Sequence, residues 1–149
     1  MKRFAAQFIF TNSGPPLKRA VITADDDGTI ISIENNDGSL RERQSVEFYN
    51  GIIIPGFVNC HNHLELSHLK GIIPEGKGLG DFISRVRSIR DRMLPDIKTA
   101  ARNTDNDMYL EGIQLCADIC NTPDTFEMKS KSLLRYINLI EAFGIDPGK

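Results

Sequence analysis

Short apolar runs separated by turn residues occupy the first third of the chain. Phe4 to Phe10 is mostly apolar, and the segment TNSGPP ends it. RAVITADDDGTIISIENNDG then places two β-rich runs on either side of Asp27-Gly28, a dipeptide typical of a type I′ hairpin. SVEFYNGIIIPG supplies a further run. The pattern predicts three or four short strands over residues 1–54, arranged as a small β-sandwich or sheet.

A different pattern begins at Pro55. GFVNCH is a short apolar run without polar alternation, as expected of a parallel strand that is buried on both faces. A glycine-rich segment ending in EGKGLGD predicts a loop, and Asp81 is predicted to be the N-cap of the amphipathic helix that follows. The apolar positions of this helix recur at helical spacing and are Phe82, Val86, Ile89 and Met93.

The remainder of the chain continues the alternation of strands and helices. Pro95 precedes a second helical pattern that lasts until Gly112, and IQLCADIC then predicts a second buried strand. Pro123 to Lys131 predicts a short helix. LLRYINLIEAF fits a strand or a helix, and its brief apolar run before Gly144 favours a third strand. Strand, helices, strand, helix, strand is the order of repeated βα units, so the sequence predicts an α/β fold over residues 55–149.

Composition and charge exclude several classes of partner. The chain has 149 residues, of which 40% are hydrophobic, enough for a folded core. The net charge is −2, and Lys and Arg are spread along the chain, so we expect no nucleic-acid partner. MKRFAAQFIF has too short an apolar part for a signal peptide, and no stretch approaches the ~20 apolar residues of a membrane span. We therefore expect no membrane association.

The cysteines indicate a reducing compartment. Cys60, Cys116 and Cys120 are odd in number and lack C-x-x-C spacing, which does not suit a disulfide framework. We therefore predict a cytoplasmic protein. A structural zinc site shared with nearby histidines is an alternative, but the spacing differs from that of known structural sites. Buried apolar cysteines on strands are the preferred interpretation.

Two histidines end the first strand of the second region. In a strand, residues two apart point to the same face, so His61 and His63 would aim both imidazoles the same way. We call this pair the histidine claw. Imidazole suits zinc and related divalent ions, and the carboxyl end of a parallel strand is where α/β folds build their sites. Taken alone, the pair also fits two ordinary polar residues at a strand end.

The context of the claw resembles a known family. GxxxPGFVNxHNHLE, preceded by short strands and followed by a glycine-rich segment and a helix, resembles the opening of the amidohydrolase superfamily. The extension HNHLELSHLKG is similar to its deaminase and chlorohydrolase branch, although only PGFVNCHNH is specific. The resemblance implies the first part of a (β/α)8 TIM-type barrel, about three βα units, preceded by strands of a small β-sandwich. It also implies that His61 and His63 bind a divalent metal, with zinc preferred.

The resemblance further implies a hydrolase that acts on carbon–nitrogen bonds other than peptide bonds. Hydrolytic deamination of a small, purine-like N-heterocyclic amine is the first expectation, and a chlorohydrolase or cyclic amidase is the alternative. Glu65 would lie near the substrate, unless it is simply part of a loop surface. Asp118 stands in the middle of the second buried strand, where a carboxylate needs a partner, and it is predicted to brace the barrel.

The chain is short for this family. The superfamily's site also uses two later histidines, an aspartate and an acid/base residue, whereas the only histidine here outside the claw is His68, too near in sequence to serve. A complete barrel needs eight βα units in ~250 residues. We therefore expect the N-terminal portion of an enzyme, inactive alone, with its acid/base residues beyond Lys149. A complementary chain, self-association, or a non-catalytic half or fragment all remain open.

Overall fold

The computed structural model describes residues 1–39, 45–89 and 97–142. The chain divides into two compact units, Met1–Pro55 and Gly56–Lys149. The boundary predicted from sequence, between residues 54 and 55, lies beside this division. The assignment of the units to a sandwich and an incomplete barrel stays a prediction. The predicted positions Met93, Pro95 and Gly144 fall outside the described residues.

The first unit is built on one sheet of five strands. These strands are β1 (Lys2–Ile9), β2 (Leu17–Lys18), β3 (Val21–Ala24), β4 (Ile30–Glu34) and β5 (Val46–Ile53). Their order is β2-β1-β3-β4, and β5 pairs in parallel with β1. The core of this unit consists of Ile9, Ala20 and Ile22, with Leu17 and Ile53 packed against it. The run of short strands predicted for this region is confirmed.

The turn between β3 and β4 differs from the predicted type I′ hairpin. The two strands pair antiparallel as expected, but in this turn only Gly28 has a positive φ, of 91°. A type I′ turn needs a positive φ at both central residues. The backbone N–H of Thr29 instead donates to the carboxylates of Asp25 and Asp27, at 2.9 and 2.8 Å. These side-chain acceptors stabilise a longer loop with a single left-handed residue.

The second unit has the predicted α/β arrangement. Its elements are β6 (Phe57–Asn62), a 3₁₀ helix (Leu64–Leu69), α1 (Gly78–Ile89), α2 (Ile97–Leu110), β7 (Ile113–Cys120), α3 (Phe126–Lys129) and β8 (Arg135–Ile140). The strands form a three-stranded parallel sheet in the order β6-β7-β8. The ambiguous segment before residue 144 is therefore a strand, and IQLCADIC is β7 from end to end.

The helix α2 and the 3₁₀ helix pack on one face of this sheet. Leu64, Ala101, Met108, Cys116 and Leu134 form a buried cluster on that side. Along β7 the side chains alternate between fully buried and partly exposed positions. The large apolar residues of β6 and β8 that remain about half exposed are Phe57, Val58, Ile137 and Leu139. The prediction that GFVNCH is buried on both faces is therefore wrong for the described residues, because helices pack against only one side.

The beginning of α1 also differs from the prediction. The helix starts at Gly78, so Asp81 lies within it instead of capping it, and Gly78 and Gly80 belong to the helix instead of a loop. The carboxylate of Asp81 accepts a hydrogen bond from Arg85 Nε at 2.5 Å, one helical turn later. Such an i,i+4 pair favours a helical Asp81. The second helix ends at Leu110, two residues before the predicted end at Gly112, which has a φ of 88°.

The three cysteines should differ sharply in reactivity. Cys116 and Cys120 are buried, whereas Cys60 is exposed, so the prediction of a buried cysteine is wrong at Cys60. Burial and the nearby Asp118 raise the pKa of Cys116 to about 11, and burial raises the pKa of Cys120. At pH 8 we expect iodoacetamide to alkylate Cys60 alone, since the thiolate is the reactive form. Peptide mass spectrometry would measure this, and equal labelling of all three thiols in the folded chain would contradict it.

Candidate metal centre

The claw lies where the sequence predicts it, at the carboxyl end of β6. The imidazole rings of His61 and His63 have centroids 5.2 Å apart and planes inclined at 68°. Both side chains line one cavity of about 520 Å³. His61 is exposed and His63 is half-buried. The two rings therefore border a common space, with His63 standing directly after the last residue of β6.

One atom of the claw has the property expected of a metal ligand. His63 Nδ1 is buried and has no hydrogen-bond partner within the described part of the chain. Leaving a buried polar atom unpaired costs free energy, and a metal ion would satisfy such a nitrogen. No group of three or more potential ligands converges among residues 1–39, 45–89 and 97–142. The claw thus fits two of the four ligands that a zinc ion takes.

The cavity beside the claw has mainly apolar walls. One side of α1 lines it with Leu79, Phe82, Ile83 and Val86, which recur at helical spacing. Arg87, Asn121 and Glu141 add polar groups. A volume of this order with few polar groups is typical of small-molecule sites. The apolar wall is thus largely one side of the helix α1.

Glu65 is buried, with 4% of its surface exposed, so the alternative that it belongs to a loop surface is wrong. Its Oε2 accepts hydrogen bonds from the backbone N–H groups of Asn121 and Thr122, at 3.0 and 2.8 Å, and from Thr122 Oγ1 at 3.1 Å. The side chain therefore holds the loop that follows β7. Glu65 is not among the described residues that line the claw's cavity. Its role in substrate binding stays a prediction.

The Glu65→Ala variant should measure this brace. Two backbone N–H groups lose their acceptor, so we expect the free energy of unfolding to fall by about 1–3 kcal/mol. Glu75→Ala is the matched control, because Glu75 is exposed. Urea denaturation followed by circular dichroism would compare the two variants. Equal midpoints would show that the contacts of Glu65 contribute nothing to stability.

Asp118 has the partner that its buried position requires. Its side chain is 1% exposed, and its Oδ2 accepts from Lys129 Nζ at 2.5 Å. Its Oδ1 accepts from Asn62 Nδ2 at 2.9 Å and from the backbone N–H of Leu64 at 2.8 Å. The prediction that this carboxylate needs a partner is confirmed. Asn62 and Leu64 are the residues on either side of His63, so Asp118 contacts both sequence neighbours of this histidine.

Lys129 is the functional-site neighbour that the sequence did not indicate. Its side chain is 3% exposed, and its Nζ also donates to Asn138 Oδ1 at 2.8 Å and to Cys120 Sγ at 3.1 Å. It lies 5.4 and 5.3 Å from the ring centroids of Phe126 and Tyr136. Lysine is rarely buried, so a lysine on a short helix is assumed to be solvated. The one available signal was the need of Asp118 for a cation.

His68 does not join the claw. It is buried, and its Nδ1 lies 3.0 Å from the backbone oxygen of Glu65 in its own 3₁₀ helix. Its Nε2 has no hydrogen-bond partner among the described residues. Neither His68 nor Glu65 lines the cavity of His61 and His63. This placement is consistent with the prediction that His68 does not serve as a further metal ligand.

Among the comparisons with known proteins, only the comparison with solved structures found matches. No protein-family model and no curated protein sequence matches the chain. The aminofutalosine deaminase of Helicobacter pylori, solved with methylthio-coformycin, is 16% identical with a TM-score of 0.78, covering 99% of this chain and 38% of that chain. The atrazine chlorohydrolase TrzN of Arthrobacter aurescens, solved with zinc, is 22% identical with a TM-score of 0.75 and the same coverage.

A third solved structure extends the pattern. The guanine deaminase of C. acetobutylicum, solved with guanine in its active site, is 21% identical with a TM-score of 0.67, covering 92% of this chain and 35% of that chain. The chain therefore spans less than two fifths of the length of each of these three proteins. By name, two of them are deaminases and one is a chlorohydrolase. The predicted resemblance is confirmed at the level of the fold.

Residues 1–39, 45–89 and 97–142 contain no helix that is long and apolar enough to cross a membrane.

Proposed function

We propose that this chain contributes the opening βα units and two metal ligands of a hydrolase that deaminates an N-heterocyclic, purine-like amine. The carrying observation is the histidine claw at the carboxyl end of a parallel strand, beside a cavity of about 520 Å³. The fold that presents it is shared with two deaminases at TM-scores of 0.78 and 0.67. In the complete enzyme the three parallel strands would belong to a (β/α)8 barrel, and residues 1–54 to a small β-sandwich.

His61 and His63 would hold a divalent metal in this enzyme, with zinc favoured because TrzN was solved with zinc. If bound there, zinc would supply a water-derived nucleophile at neutral pH. The unpartnered Nδ1 of His63 supports the claw as ligand. The remaining ligands and the acid/base residue are proposed to lie beyond Lys149.

The substrate is proposed from the shape and chemistry of the cavity. Phe82 and the aliphatic residues of α1 offer apolar surface to a flat ring, and Asn121 and Glu141 offer polar atoms to ring nitrogens. Asn121 Nδ2 already donates to Glu141 Oε2 at 3.1 Å, so these polar groups are held together. The ligands guanine and methylthio-coformycin in the similar structures are heterocycles of a size suited to such a site.

We propose that the chain alone does not turn over substrate, because two ligands make only half of a metal site. Ammonia release from guanine, adenosine and an aminotriazine, measured with purified chain and zinc, should not exceed the rate without protein. Turnover that disappears in His61→Ala would contradict this proposal. The DNA that follows the Lys149 codon is a second test: we expect two further histidines and an aspartate at predicted strand ends, in the same or an adjacent reading frame.

A second candidate reaction is removal of chloride from a similar ring, favoured by the TM-score of 0.75 with TrzN. Cyclic amide hydrolysis belongs to the same proposal at lower priority. A non-catalytic half that needs a complementary chain, or a second copy of itself, is favoured by the half-exposed apolar residues of β6 and β8. The three free cysteines favour a cytoplasmic location for any of these.

A further inference from the structure

We propose that the buried pair of Asp118 and Lys129 positions the histidine claw and thereby sets its affinity for metal. The inference rests on the proposed role of the claw as a metal site. It assigns to Lys129, on α3, a positioning function for a site formed at the end of β6. Neither residue lines the cavity, so neither is proposed to touch metal or substrate.

The contacts of Asp118 bracket His63. One carboxylate oxygen, Oδ1, accepts from the side chain of Asn62 and from the backbone N–H of Leu64, at 2.9 and 2.8 Å. Both bonds cross from β7 to the end of β6, where regular strand pairing is interrupted between Asn59 and Asn62. Asn62 pairs with Asp118 just beyond this interruption, and the side-chain bonds of Asp118 reinforce that pairing and extend the contact to Leu64. A ligand whose two neighbours are fixed presents its imidazole in a narrow range of orientations.

Lys129 fixes the carboxylate itself. Its Nζ binds the other oxygen, Oδ2, at 2.5 Å and is held in turn by Asn138 Oδ1 at 2.8 Å. The side chains of Asp118 and Lys129 are 1% and 3% exposed, so water does not compete for these bonds. The orientation of Asp118 therefore depends on Lys129. The backbone beside His63 depends in turn on this lysine, which lies more than sixty positions after His63 in the sequence.

A second carboxylate, that of Glu65, connects the same two strand ends from the β6 side. Glu65, in the 3₁₀ helix that follows the claw, accepts from the backbone N–H groups of Asn121 and Thr122 beyond β7. Asp118 on β7 binds residues at the end of β6, and Glu65 after β6 binds residues at the end of β7. The two strand ends are thus tied in both directions, which is the kind of rigid support that a precise metal site needs.

Two double variants separate positioning from stability. Asp118→Leu with Lys129→Met removes both charges and the acceptor for Leu64, whereas Asp118→Asn with Lys129→Met removes both charges but keeps an amide oxygen. Neither leaves an unpaired buried charge. Zinc affinity by calorimetry should fall about 10-fold or more in the leucine variant. It should fall by a smaller factor, about 3-fold, in the asparagine variant, which keeps an acceptor for the Leu64 N–H but loses the bond from Lys129 that orients this side chain. Amide hydrogen exchange by NMR should show Leu64 deprotected only in the leucine variant.

The outcomes are distinct. Equal zinc affinity and equal Leu64 protection in all three proteins would overturn the inference. If the original chain, with two of the four ligands, binds too little zinc to titrate, Leu64 exchange alone decides: unchanged protection in the leucine variant would overturn the inference. If the leucine variant does not fold, Asn62→Ala takes its place, because it removes one bracket bond and leaves the buried pair intact. An unchanged zinc affinity and an unchanged His63 imidazole signal in Asn62→Ala would then overturn the inference.

Discussion

The Lys129→Met variant is expected to lose about 3–5 kcal/mol of the free energy of unfolding, because it leaves the carboxylate of Asp118 buried without its cation. The side chains of this pair are 1% and 3% exposed, so water cannot replace the lost partner. Lys129 Nζ also gives up its bonds to Asn138 and Cys120. A loss of this size is a large share of the total stability of a small domain. Urea or thermal unfolding followed by circular dichroism would measure it.

Lys131→Met is the matched control. Lys131 is two positions further along, and its ion pair with Glu127 is 2.8 Å long but 72% and 79% exposed. Exposed pairs contribute little, so the unfolding midpoint should barely move. Adding Asp118→Asn to Lys129→Met should restore most of the lost stability, because the unpaired charge is then gone. Equal midpoints for Lys129→Met and Lys131→Met would contradict the account of the buried pair.

The second large effect concerns zinc. The His61→Ala, His63→Ala double variant should lose zinc affinity by about 100-fold or more, since removal of even supporting residues around a metal costs 10–100-fold. His68→Ala is the control, because His68 is buried, bonds to Glu65 in its own helix, and does not line the cavity. Calorimetric titration with zinc chloride would compare the three proteins. Loss of binding in His68→Ala, with binding kept in the claw variant, would move the metal site elsewhere.

Local patterns predicted most of the secondary structure. The residues of β7 match the predicted run from Ile113 to Cys120, and the third strand was favoured by apolar density alone. The parallel order of β6, β7 and β8 followed from the alternation of strands and helices. These features depend on spacing within about ten residues, which sequence shows directly. The two-residue spacing of His61 and His63 likewise predicted that both rings border a common space.

Features set by distant contacts were not predictable. Glu65 is buried because it binds backbone groups at residues 121 and 122. The pattern of apolar residues near residue 65 does not indicate that contact. Lys129 is buried because it pairs with Asp118. The sequence indicated that Asp118 needs a partner but did not indicate which residue supplies it. The exposure of Cys60 and of part of β6 depends on which side of the sheet the helices cover. In each case the burial of the side chain depends on residues that are distant in the sequence and not on its own neighbours.

The most direct test of the central claim is a zinc titration followed by NMR of the histidine imidazoles. The account predicts that the ring signals of His61 and His63 shift together and saturate at one zinc per claw, while the signal of His68 stays in place. Shifts at His68 or the cysteine residues without a change at the claw would contradict it. So would the absence of any zinc-dependent shift at His61 and His63.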